Sequence, residues 1–479
     1  MGHEIIQITL TEQESEKLKL LEDENFHVPV SSPSNKPLIR RALLALRKHY
    51  DEKKTDRYFK PIFVSFGPLH HVENSTQDSI LEEAEKFKQQ LATTFIHYSG
   101  SRKDDFYKKV KKEIKSLREC YDPMDVAGWG DEELAWMFLV DGCALLQFIF
   151  LVVENKWGEF GGKNDQLLFV INDVFLLENQ LPFQLLEILI DLCIKVSNEG
   201  GKNPQEVWKV RIDKFIKEKF LSSADQISIP IHDQVDSQTP LCAEQRQQQE
   251  EPVHLLALLR RELIGQGVKS QEKPKDKDSL LGKLMRKWCS SGDKSRKWHT
   301  FRNVKELKAK GIRFKAKEKI DGITDIDLNY RSCLPTLMLA PILVDDTTMP
   351  ILLNLIAYEL SSDFKNEYEI SSYITFLESL IDSGEDVKEL REAGVLFNGL
   401  GSDEAVAEMF NKISDYLVPN PVKYEELKVR IQEHCDLVWA SDVAYFYYTH
   451  FSSPWSFLVF LGAVAGLVLT GLSTYNSFN

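Results

Sequence analysis

The sequence predicts a mainly α-helical protein: a multi-helix body with a few short strands, a polar and basic insertion, and one C-terminal transmembrane helix. Three observations predict it. Apolar residues recur at helical spacing along most of the chain, as in Leu81, Ala84, Phe87, Leu91 and Phe95. Residues 134–153 are apolar on nearly every side. Near the C-terminus, Trp455 to Leu472 run for 18 residues without a charge.

Composition bounds the function. The 479 residues are 43% hydrophobic and 28% charged, enough apolar material to offset chain entropy. Seven cysteines are too few and too scattered for a disulfide scaffold. A net charge of −14 argues against a general nucleic-acid binder. That charge is uneven. Residues 269–319 hold 18 Lys and Arg against 6 Asp and Glu, whereas 320–479 hold 8 against 24. The basic stretch reads first as a segment that neutralises its own acidic molecule, since no aromatic stacking pattern accompanies it.

The elements follow in order. Residues 1–25 are a polar lead-in, and 26–450 form the helical body. Residues 58–71 make a short extended apolar run closed by Gly67-Pro68, a turn signal. Two amphipathic helices follow, the second over 103–119 on Phe106, Val110, Ile114 and Leu117. Residues 134–153 would suit a bilayer by length. Asp141 and Gln147 sit inside the run, however, and a mid-span aspartate costs about 2.5–3.5 kcal/mol. A central core helix is therefore expected, with Asp141 bonded to a helix N-terminus or a nearby arginine. Residues 167–196 read as two core helices with a sharp joint, because Pro182 disfavours helix at Leu181 and opens the next one. Glu178, Asn179 and Gln180 supply polar side chains there. Polar stretches 227–252 and 265–299 read as insertions around a short helix, 253–263. Short extended pieces at 334–335 and 343–344 precede helices over 349–360, 370–381, 402–417 and 421–450, and 385–398 opens with acids and carries Val387, Leu390 and Val395.

The 455–472 run spans about 27 Å as a helix, close to the thickness of bilayer hydrocarbon. Tyr445, Phe446, Tyr447, Tyr448, Phe451 and Trp455 crowd its approach, as in an interfacial belt. The N-terminus carries no secretory signal pattern, so the expected topology is tail-anchored with the body in the cytosol. Gly462, Gly466 and Thr470 form a small-residue spacing through which two spans would pack as a homodimer.

Local catalytic motifs are missing. There is no GxxxxGK[ST], GxSxG or HExxH pattern and no CxxC pair, so no catalytic residue, cofactor or metal is expected. His70-His71 is an unlikely chelate, because neighbours on an extended segment point to opposite faces. Asp321, Asp325 and Asp327 do not follow the calcium-loop order.

Several segments together resemble one family, the plant "domain of unknown function 247" proteins. Pro61-Ile62-Phe63-Val64-Ser65-Phe66-Gly67-Pro68-Leu69-His70-His71 is similar to its P-x-x-VSIGPYHHG. Val140-Asp141-Gly142-Cys143 matches its DGC helix, and Leu177–Phe183 its LLENQIPF. Asn354-Leu355-Ile356-Ala357-Tyr358-Glu359 resembles NLIAYEQ. Ser372-Tyr373 through Asp386-Val387, and Pro454-Trp455, complete the order. Leu69, Val72 and Ala144 depart from the pattern. The resemblance implies a mostly helical fold, a terminal membrane span and no established enzymatic activity. Some grass members are genetically tied to self-incompatibility as candidate pollen-side determinants. The leading expectation is thus non-catalytic recognition of a protein partner at a membrane. One alternative is an enzyme with a non-local site around His70, His71, Asp141 and Glu178. Another is an adaptor that binds anionic lipid through 269–319.

Overall fold

The computed structural model describes residues 39–44, 46, 58–71, 79–161, 163–194, 203–220, 252–265, 302–318, 322–330, 334–361, 368–413, 417–436, and 462–474 apart from 464 and 471. The first half comprises α1 (Ser79–Ser99), α2 (Lys103–Lys112), α3 (Ile114–Arg118), the single turn α4 (Pro123–Val126), α5 (Asp131–Val153), α6 (Asn164–Val174), α7 (Phe183–Ile190), α8 (Pro204–Phe220) and α9 (Leu255–Ile264). Its axis is α5, against which α1, α2, α7 and α8 all pack. Three acids open α5, and Glu133 Oε2 accepts from the Gly130 amide at 3.0 Å, which suits the positive end of the helix. The helix is long and apolar enough to cross a membrane, yet 83% of its most apolar stretch is buried inside the body. The core-helix reading of 134–153 therefore holds. Close approach of α7 requires Gly142: a Cβ there would lie 2.5 Å from Leu189 Cδ1.

The second half comprises α10 (Val304–Ala309), β1 (Arg313–Ala316), β2 (Asp327–Asn329), β3 (Thr336–Leu339), β4 (Ile342–Val344), α11 (Thr348–Glu359), α12 (Glu369–Leu380), α13 (Gly384–Glu392), β5 (Leu396–Asn398), α14 (Asp403–Ile413) and α15 (Glu425–Cys435). The strands form two small sheets. In one, β3 lies between β1, parallel to it, and β2, antiparallel. In the other, β4 and β5 pair in parallel. One continuous buried apolar cluster runs from Ile39 to Cys435 through both halves.

Several sequence-based expectations change. The 103–119 helix breaks at Glu113 into α2 and α3. The 385–398 segment splits, because Gly394 takes a φ of 70° and turns the chain from α13 into β5. The basic stretch 269–319 runs past the expected insertion 265–299, and its described end folds into α10 and β1. There Lys305 pairs with Glu385 and Lys308 with Glu389, both on α13. That much of the basic charge serves the protein's own acidic half. Residues 1–25, the stretches 227–251 and 266–301, and 437–461 lie outside the described residues.

Glu359, at the end of α11, ties this half together. Its carboxylate accepts from Arg260 Nε at 2.9 Å, the Ile370 amide at 2.9 Å, the Ser371 amide at 3.0 Å and the Ser371 hydroxyl at 2.9 Å. It thereby caps α12 with a side chain from another helix. Replacing it, Glu359→Gln, puts a donor against donors and removes the charge that pairs with Arg260. The expected loss is about 3–5 kcal/mol in denaturant unfolding. A loss below about 1 kcal/mol would show that this node adds little.

Candidate functional site

Residues 58–71, expected as an extended run, enter the body instead as irregular chain with bends and turns, and they join no sheet. A buried backbone still needs partners for its amides and carbonyls. Here side chains from four helical elements supply them. Asp173, at the end of α6, accepts from three consecutive amides: Ile62 at 3.0 Å, Phe63 at 2.7 Å and Val64 at 2.8 Å. Asn179 Oδ1 accepts from Phe66 N at 2.7 Å, while its Nδ2 donates to Val64 O at 3.0 Å and Asp173 O at 2.8 Å. Asp141 Oδ2, in the middle of α5, accepts from Gly67 N at 2.9 Å. Lys88 of α1 donates to Ser65 O at 2.7 Å and to Asp141 Oδ1 at 2.6 Å. Its second carboxylate neighbour is Glu85, at 2.7 Å.

The turn at Gly67-Pro68 is fixed by space. Gly67 takes a φ of 70°, and a Cβ there would meet Tyr121 Oη at 2.9 Å and Gln180 O at 3.2 Å. Tyr121 Oη itself donates to Gln180 O at 2.9 Å.

The 3-10 turn Leu177–Asn179 and the following Gln180 form the hub. Three successive side chains leave it in different directions. Glu178 Oε1 accepts from Ala42 N at 3.1 Å, and its Oε2 lies 2.9 Å from His70 Nε2. Asn179 holds the 58–71 segment. Gln180 Oε1 accepts from Leu256 N of α9 at 3.0 Å, while Nε2 donates to Val174 O and Leu176 O, each at 2.7 Å. Pro182 then starts α7 as expected, and the Phe183 amide donates to Val253 O at 2.7 Å. Asn354 of α11 completes the lattice, accepting from Leu177 N at 2.7 Å and donating to Tyr58 O at 2.6 Å.

The predicted motif residues therefore do gather, in a buried hydrogen-bond network. His70 meets Glu178, but Asp141 is engaged by Lys88 and Gly67, and His71 sets its ring edge-on to Trp129, 5.3 Å between centroids. Asp141 finds a lysine and a backbone amide where a helix end or an arginine was expected. Among the described residues no group of three His, Cys, Asp or Glu side chains is placed to hold a metal. Burial pushes the Cys143 thiol well up and the Cys193 thiol to about 12, so both stay protonated and poor nucleophiles. Burial also pulls the Lys88 ammonium down, but Asp141 and Glu85 outweigh it and leave its pKa raised.

Sequence reasoning missed Lys88 and Asp173. The signal for Lys88 is present: Ala84, Lys88, Leu91 and Phe95 share one helical stripe, so a charge interrupts an apolar face. A buried cation on one core helix and a buried carboxylate on the next imply a pair. For Asp173 no local signal exists, because its partners lie 109–111 residues away.

Comparison with known proteins places this lattice in a family. The family model described as a plant protein of unknown function, DUF247, matches residues 44–469. The chain belongs to the DUF247 family. Two similar proteins of Arabidopsis thaliana carry the family designation UPF0481. One is 23% identical over 476 residues, covering 87% of each chain. The other is 25% identical over 454 residues, covering 87% of this chain and 82% of its own. No solved structure matches. In this DUF247 protein, the segments that carry the sequence resemblance up to Glu359 are the ones the lattice joins: 61–71, 140–143, 177–183 and 354–359.

Two outcomes follow for the site. Lys88→Met leaves Asp141 buried with one amide, and should destabilise by about 3–5 kcal/mol in denaturant unfolding. An unchanged midpoint would mean that the pair does not hold the segment. For Asp173, burial raises the carboxyl to about 7 against the pull of the Ile62, Val64 and Phe63 amides. The native state then holds a proton that the unfolded state has released above its ordinary value of 3.8. Stability from this group is greatest at low pH and falls as pH rises through the window between those values, by up to about 1.4 kcal/mol per unit. Asp173→Asn should flatten that part of the stability profile. Equal slopes for both proteins would contradict the assignment.

Proposed function

We propose that this protein is a non-catalytic recognition module held on a membrane by residues 455–472, with its body facing the cytosol. The observation that carries the reading is how the motif residues are used. The oxygens of Asp141, Asp173, Asn179 and Gln180 are occupied by main-chain donors or by Lys88. Such a network fixes the register of the helices and stiffens the surface they present. It commits the oxygens of these groups to holding the main chain, which weighs against the enzyme reading around His70, His71, Asp141 and Glu178.

Support for the tether comes from the described helical residues between Gly462 and Thr474. Leu467, Val468, Leu469 and Leu472 are 74%, 56%, 67% and 56% exposed, a continuous apolar surface that water disfavours. The hydroxyls on it turn inward: Thr470 donates to Gly466 O at 2.7 Å and Thr474 to Thr470 O at 2.8 Å. Self-satisfied hydroxyls are what a lipid environment demands of threonine. Gly462 and Gly466 remain the proposed contact of a homodimer.

The partner in this proposal is a protein that reads the polar excursions 227–252 and 265–299. Support comes from where they depart. They follow the ends of α8 and α9, and Lys217 and Glu262 near those ends approach to 3.9 Å. Both excursions therefore leave from one region of the body. In its most specific form the proposal makes the chain a pollen-side self-incompatibility determinant, a form that rests on the family resemblance alone.

Protease treatment of sealed membranes tests the topology. Digestion of the 1–450 body before lysis is expected. Digestion only after lysis would contradict the cytosolic placement, and release of the chain by alkaline carbonate would contradict the tether.

A further inference from the structure

Helices α2 and α3 bury Phe106, Val110, Ile114 and Leu117 and turn a cationic ridge to solvent. Between Arg102 and Glu119, eight Lys and Arg stand against four Asp and Glu, net +4 in a chain of −14. Lys111 is bonded to Glu132 and Arg118 to Asp131. Lys108, Lys112 and Lys115, all exposed, have no ion pair among the described residues. In the basic 302–318 stretch, by contrast, Lys305 and Lys308 are committed to acids of α13.

Large apolar side chains flank the ridge. Arg118 pairs with Asp131 and Lys111 with Glu132, so the ridge is joined to the start of α5. One turn beyond Glu132 on α5 stands Trp136, 58% exposed. At the other end Arg118 donates to Val126 O at 2.8 Å, and on that same turn Met124 is 90% exposed.

We propose that this face, Lys108, Lys112 and Lys115 between Trp136 and Met124, lies against the anionic phospholipid headgroups of a bilayer. The charge is complementary to such a surface, and a tryptophan and a methionine are side chains that enter its headgroup region. The tether does not by itself choose a face. The 18 residues between Asp436 and Trp455 reach at most about 65 Å, enough for the body to turn any side to the membrane. The ridge makes that choice, and tethering raises its local lipid concentration so that a weak contact is populated. The inference rests on the tether for proximity and is separable from it.

The test is lysine acetylation of the full chain reconstituted in vesicles of phosphatidylcholine, with or without phosphatidylserine. Lys108, Lys112 and Lys115 should react at least about threefold more slowly on the anionic vesicles, with the difference erased by high salt. Lys388, exposed on α13, is the internal reference and should not change. Equal rates on both lipids, or equal slowing of Lys388, would overturn the proposal. Protection seen in native membranes but absent from pure lipid would overturn it in favour of an acidic protein. If the chain does not float with neutral vesicles, the tether fails instead. The ridge is then read by flotation on anionic vesicles, where salt-sensitive capture supports it and no capture refutes it.

Discussion

The structure depends on one buried ion pair. Lys88 and Asp141 are each about 1% exposed, on the two helices that pack most extensively together in the core. Burying both charges is costly, and their mutual attraction offsets that cost only if the remaining donors and acceptors are also satisfied. They are: the lysine reaches Ser65 O and the aspartate takes the Gly67 amide. The pair therefore grips a third segment. An irregular stretch with no helix or sheet partner would leave its amides orphaned in an apolar interior, and Lys88, Asp141, Asp173 and Asn179 remove that penalty.

This constraint explains why polar residues sit where apolar ones would pack more simply. The same device recurs at Glu359, which caps α12 from α11, and at Asp386, which accepts from the Ser383 hydroxyl and the Lys305 amide and so joins α10 to α13. Each node links chain segments far apart in sequence. A fold held this way has a defined register with little strand content, because side chains make the connections that a sheet would otherwise provide.

Legibility in the sequence follows the range of the interaction. The core helix around Asp141 was readable, since an apolar run interrupted by one acid fits a protein interior better than a bilayer. The joint at Pro182 was readable because proline acts on its immediate neighbours. Glu178, Asn179 and Gln180 could be named as a polar hub, but their directions could not, since Ala42, Phe66 and Leu256 lie far off along the chain. Residues 58–71 read as an extended run, yet nothing local says that side chains rather than a strand would satisfy them. The three-residue strands β2 and β5 were invisible for the same reason: their pairing partners, not their own periodicity, make them strands. Family membership was legible from the ordered motifs. The activity was not, because those motifs match no local catalytic pattern.

The central claim is that residues 61–67 belong to the core despite lacking regular structure. Native-state hydrogen exchange measures this directly. The amides of Ile62, Phe63, Val64, Phe66 and Gly67 should exchange only by global opening, at rates matching the middle of α5. Exchange of these five amides at rates typical of a surface loop, while α5 stays protected, would contradict the account.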